Sequence, residues 1–162
     1  MKTKQNKKLT LKESCFFSLT PILIFSLILT FSPLTWAEAN LKNNCYITID
    51  GEVDPVLVLL VLSYKEKGVD DKLIIKRISN AINDGCDLNV TDKDGLSPLN
   101  TSILFQHLDL VEFFIEKGAT PYNKIISPKD VINGLDSVAF SKALLDKDWS
   151  DKRQKIYDYL KK

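Results

Sequence analysis

The stretch from Asp92 to Tyr122 constrains the fold most tightly. Asp92-Lys93-Asp94-Gly95 is a turn signal, Ser97-Pro98 is a helix start, and Leu108 to Ile115 is an apolar run closed by Gly118. A helix end favours Gly because Gly takes positive φ without steric cost. The same closing context stands 33 residues earlier, at Gly85-Cys86-Asp87. A period of that length, with a turn feeding two short helices, predicts stacked helix pairs, because one pair cannot bury its apolar face alone.

The N-terminus follows a different plan. Lys2, Lys4, Lys7, Lys8 and Lys12 make it basic, and Ser14 to Ala37 is uncharged and mostly apolar. Ala37 and Ala39 put small residues where a signal peptidase needs them. This order predicts a secretory signal peptide over residues 1–39, and Cys15 would leave with it. A cut after Ala37 satisfies the same rule. An uncleaved membrane anchor is the alternative, since an uncharged run of this length can span a bilayer.

Cleavage after Ala39 leaves 123 residues with 17 Lys and Arg against 19 Asp and Glu. That is one small domain with enough length to bury a core. The near balance of charge gives no nucleic-acid footprint. Cys45 and Cys86 remain, and in an exported chain a pair is read first as a disulfide. Cys86 as a small buried residue is an equal alternative.

Residues 40–53 read as an extended lead-in, with Asp50-Gly51 as a turn, packed on the first helix. Asp54-Pro55 then supplies an N-cap acceptor and a first-turn Pro for the apolar run Val56 to Leu62. Asp70-Asp71 opens a second helix whose Ile74, Ile78, Ala81 and Ile82 share one face. After the polar connector, Ser97-Pro98 begins a helix with Leu99, Ser102 and Ile103 inward. The next helix should turn Leu108, Val111 and Ile115 to one side, with Leu110 and Phe114 beside them. Beyond Gly118 the pattern loosens, with Ile125-Ile126 and Val131-Ile132 expected to pack inward. Two last helices follow, from Asp136 and from Ser150, with Trp149, Tyr157 and Tyr159 fastening the terminal one.

Asp92, Gly95, Pro98, Leu99, Val111, Phe114, Ile115, Gly118 and Ala119 together resemble the ankyrin repeat. Ser97 stands for the family's Thr, Asn100 for its His, Ser102 for its Ala and Gln106 for its Gly. Gly85-Cys86-Asp87-Leu88-Asn89 is similar to the family's repeat ending. Gly134 follows Gly95 by 39 residues rather than 33, which places an insertion between Pro121 and Asn133. The resemblance implies an all-α fold over residues 54–162. It would be a short ankyrin-like helical solenoid of about three helix pairs, one regular repeat between two irregular caps.

Candidate chemistry is sparse. His107 is the single histidine, so a zinc site is not expected, and it reads as a structural residue at a helix start. Asp92-Lys93-Asp94-Gly95 lacks the later acidic ligands of a calcium loop. No catalytic residue, metal or cofactor is therefore expected. The resemblance instead implies protein binding through turn tips and the exposed side of each first helix. Carried over, the candidates are Lys93, Asp94, Leu96, Asn100, Leu104 and Phe105, with burial under the irregular flanking segments as the alternative for Leu96, Leu104 and Phe105. The expected function is an exported, non-catalytic protein-binding module in the periplasm, of accessory or immunity type, covering a partner protein's functional site. The alternatives are a small exported enzyme whose carboxylates only the fold brings together, and a membrane-anchored scaffold.

Overall fold

The computed structural model describes residues 45–162; the expected signal peptide and the first residues of the lead-in lie outside it. The described chain is mostly helical. Its elements are β1 (Tyr46–Ile49), β2 (Glu52–Pro55), α1 (Val56–Leu62), α2 (Asp71–Asn83), α3 (Pro98–Leu104), α4 (Leu108–Glu116), α5 (Ser137–Lys147) and α6 (Asp151–Leu160). Among the described residues no helix is long and apolar enough to cross a membrane.

Local chemistry sets most helix boundaries. Asp70, Ser97, Asp136 and Ser150 each accept a hydrogen bond from a first-turn amide, on Lys72, Asn100, Ala139 and Arg153 respectively. Each satisfies a donor that the helix itself cannot. At the other end, α2 and α4 close alike. Cys86 N–H donates to Ala81 O at 3.0 Å, and Ala119 N–H donates to Phe114 O at 2.9 Å. Both bonds span a glycine at positive φ, Gly85 and Gly118, which is the Schellman closure.

The lead-in departs from expectation. Residues 46–55 form an antiparallel hairpin, with Ile47 opposite Asp54 and Tyr46 opposite Pro55. Asp54 and Pro55 therefore belong to β2 and do not open α1, which starts at Val56 without a side-chain cap. Asp50 and Gly51 both adopt positive φ, the backbone that a two-residue hairpin turn requires. All four residues of β1 are exposed, so burial contributes little to the hairpin. A covalent tie holds its base: Cys45 is disulfide-bonded to Cys86, with Cα atoms 5.3 Å apart. Val56 N–H adds a bond to Cys45 O at 2.8 Å, beside the buried Pro55. An isolated hairpin is marginal in water, and here the disulfide supplies what the missing core does not.

The helices pair in chain order, α1 with α2, α3 with α4, and α5 with α6. Helix α3 packs on α1 at one side and on α5 at the other, and α4 packs on α6. Leu57, Val61, Ile74, Ile78, Leu99, Ile103, Val111, Phe114, Phe140 and Ile156 form one continuous core. Helix α4 is rotated relative to its expected face. It buries Leu110, Val111 and Phe114, while Leu108 and Ile115 are partly exposed, because α3 and α6 share the covering of it.

The disulfide closes a loop across a sequence separation of 41, for which chain entropy gives about 4 kcal/mol. The double replacement Cys45→Ala, Cys86→Ala should lower unfolding stability by that order in urea titration. Hairpin amides should lose hydrogen-exchange protection first, with those of α3 and α4 least affected. An unchanged midpoint would contradict the stapling role.

Candidate functional site

The turn before α3 is held by its own first residue. Asp92 Oδ1 accepts from Asp94 N–H at 2.9 Å and from Leu96 N–H at 2.8 Å, and Asp92 O accepts from Gly95 N–H at 3.0 Å. Gly95 has φ +80°, and a Cβ there would lie 2.1 Å from Ile126 O. This position needs glycine twice over, for its backbone angle and for the close approach of the following loop. The loop lies in the stretch after Pro121. It is closed at its base by Ile125 N–H to Leu135 O at 2.7 Å and Gly134 N–H to Ile125 O at 2.8 Å.

Three projections thereby stand side by side: the hairpin, the 92–95 turn and the 126–133 loop. Ion pairs link them, Lys93 with Glu52 of the hairpin and Lys129 of the loop with Asp94 at 2.6 Å. Exposed pairs of this kind add little stability, but they fix the neighbours of each tip.

The six residues expected to meet a partner separate in space. Lys93 is exposed and Asp94 partly so, at the middle tip. Phe105, at the end of α3, is exposed, and Leu104 is partly buried against the core. Leu96 and Asn100 are corrected: both are buried and display nothing. Leu96 joins the core beneath the turn, and Asn100 Oδ1 accepts from the buried Ser137 hydroxyl at 2.7 Å, tying α3 to α5.

Other apolar residues take the exposed places. Ile126 and Val131 are 85% and 84% exposed, against the expectation that both pack inward, because only Ile125 and Ile132 of those pairs face the core. Val53 on the hairpin is 63% exposed. Trp149 is also exposed and does not fasten the terminal helix, whereas the partly buried Tyr159 packs against the core, as do the buried Ile156 and Leu160 of the same helix. Sequence gave no sign that Ile126 and Val131 are displayed, since paired aliphatics in a loop read as core.

A second cluster surrounds His107. Tyr64 O–H donates to Asp109 Oδ2 at 2.5 Å, and Lys65 Nζ donates to the same oxygen at 2.9 Å. The His107 ring meets Tyr64 edge-on, with centroids 5.2 Å apart, and lies parallel to Phe105 at 6.2 Å. Burial, aided by the charge of Lys65, lowers the His107 pKa and favours the neutral ring. Burial and the bond to Asp109 raise the Tyr64 pKa, so it stays a donor. For Asp109, burial acts upward, but the bonds from Tyr64 and Lys65 and the Lys65 charge outweigh it and hold the carboxyl below its ordinary range. A shallow cleft of about 310 Å³ opens beside it, lined by Lys65, Gln106, Asp109, Glu112, Lys152 and Lys155. Sequence alone did not bring Tyr64 and Lys65 to Asp109, 44 or more residues away. Among the described residues no group of three His, Cys, Asp or Glu is placed to hold a metal ion.

Two measurements probe these arrangements. Gly95→Ala should cost at least ~2 kcal/mol of stability, whereas Gly134→Ala, with open space at its Cβ, should cost only ~1 kcal/mol. Equal effects would remove the close approach as a cause. Asp109 binds its proton less readily when folded, so its stabilising contribution is full above the ordinary carboxylate value of 3.8. That contribution is lost as pH falls through the depressed folded value. Asp109→Asn should therefore lower stability at neutral pH and flatten the acid limb of a stability–pH curve; an unchanged limb would refute the assignment.

No protein-family model, curated protein or solved structure matches this chain.

Proposed function

We propose that the chain is an exported, non-catalytic protein-binding module of ankyrin-like architecture. Its partner docks on the three tips and on the exposed Phe105 at the opposite end of α3. The observation that carries this reading is the display of Ile126 and Val131 on a loop pinned to the 92–95 turn. Apolar side chains presented on a braced segment mark interfaces, because their exposure has no compensating local gain. The row of helix pairs and the matching closures at Gly85 and Gly118 support the solenoid reading. The Cys45–Cys86 disulfide supports an oxidising compartment and hence export, with the periplasm as the proposed site. The module is of accessory or immunity type and acts by covering the partner's functional site.

Affinity capture from the exported fraction tests this, with a Phe105→Asp, Ile126→Asp, Val131→Asp variant as control. All three positions are exposed, so the variant should keep its thermal midpoint. A specific protein should be retained by the wild type and lost at least about tenfold by the variant. Equal retention by both would place the interface elsewhere, and no specific protein captured would overturn the binding function.

A further inference from the structure

The three tips carry more carboxylates than cations. Asp50, Glu52 and Asp54 lie on the hairpin, Asp94 on the turn and Asp130 on the loop. Among the described residues the cations there are Lys93 and Lys129, already engaged by Glu52 and Asp94. Asp92 directs its carboxylate to the amides of its own turn. Asp50, Asp54 and Asp130 form no ion pair among the described residues, so the tips that carry the exposed Val53, Ile126 and Val131 keep an excess of carboxylates over ammonium groups. From Lys142 to the C-terminus the sign reverses, with seven Lys and Arg against four Asp. The Lys93 pKa is raised by the bond to Glu52 and by the charges of Glu52, Asp54 and Asp94, which places these carboxylates within reach of one ammonium.

Resting on the protein-binding reading above, we propose that the tip row selects a protein partner whose docking surface is basic around an apolar centre. The aliphatic side chains supply the contact that excludes water, as the core of an interface does. The surrounding carboxylates supply orientation and encounter rate, since complementary charge steers association more than it deepens it. An acidic partner would meet this excess of like charge and be rejected.

The test uses the purified, isotope-labelled protein and two defined probes. One is an amphipathic helical peptide of lysine and leucine, and the other replaces every lysine with glutamate. The lysine peptide should perturb the amides of Val53, Gly95, Ile126 and Val131. Its affinity should fall about tenfold or more between about 50 and about 300 mM salt. A similar fall is expected for the variant Asp50→Asn, Asp54→Asn, Asp130→Asn, whose ion pairs at Lys93 and Lys129 are intact and whose thermal midpoint serves as the folding control. The glutamate peptide should leave these amides unmoved. Perturbations centred elsewhere, equal binding of both peptides, or no loss in the neutralised variant would overturn the proposal. Applied to the captured protein, the same variant separates the two ideas: retention equal to wild type overturns charge selection while the binding function stands.

Discussion

Helix α3 has almost no free surface, and the rest of the structure is arranged around that fact. Six of its seven residues, Pro98 to Ile103, are buried between α1, α4 and α5. Three of the six are polar, and a buried polar group without a partner costs about 1–3 kcal/mol. Ser102 meets this locally by donating to Pro98 O at 2.8 Å, and Asn100 meets it across the interface by accepting from Ser137. Among the described residues Thr101 Oγ1 finds no hydrogen-bond partner. The Asn100–Ser137 bond does more than satisfy two groups, because its directionality fixes how α5 is set against α3.

Side-chain hydrogen bonds also join successive helix pairs at their turns. Gln106 adopts φ 60°, and its side-chain oxygen accepts from the Ser150 hydroxyl at 2.8 Å. That contact links the end of α3 to the cap of α6. Asn89 accepts from Thr120 N–H at 2.9 Å, joining the two connectors that follow the closing glycines. Successive pairs are thus joined by side-chain bonds at their turns as well as by apolar contact.

The hairpin depends on a different force. It has little core of its own, and its base is held by the disulfide, Pro55 and the amide of Val56. Stability and display are separated here: the covalent tie lies at the base while Val53 is exposed further along β2. The middle tip has Asp92 for its internal frame, and the loop has its paired base at Ile125 and Leu135. Each projection is braced by a different device, yet all three end beside one another.

The sequence by itself determined what depends on nearby residues. The helix starts at Asp70, Ser97, Asp136 and Ser150, the closures at Gly85 and Gly118, and the inward face of α2 were legible because each follows from spacing within one or two turns, whereas the start expected at Asp54-Pro55 was taken by the hairpin. The hairpin was legible only as a turn at Asp50-Gly51, because its persistence depends on a bond to Cys86 that spacing cannot specify. Of the expected surface, Lys93, Asp94 and Phe105 are displayed, whereas Leu96 and Asn100 are covered by segments far along the chain. Tertiary structure alone decided the exposure of Ile126 and Val131 and the meeting of Tyr64, Lys65 and Asp109. Burial and cross-chain hydrogen bonding are set by which elements pack together, and a local pattern of apolar and polar residues does not contain that information.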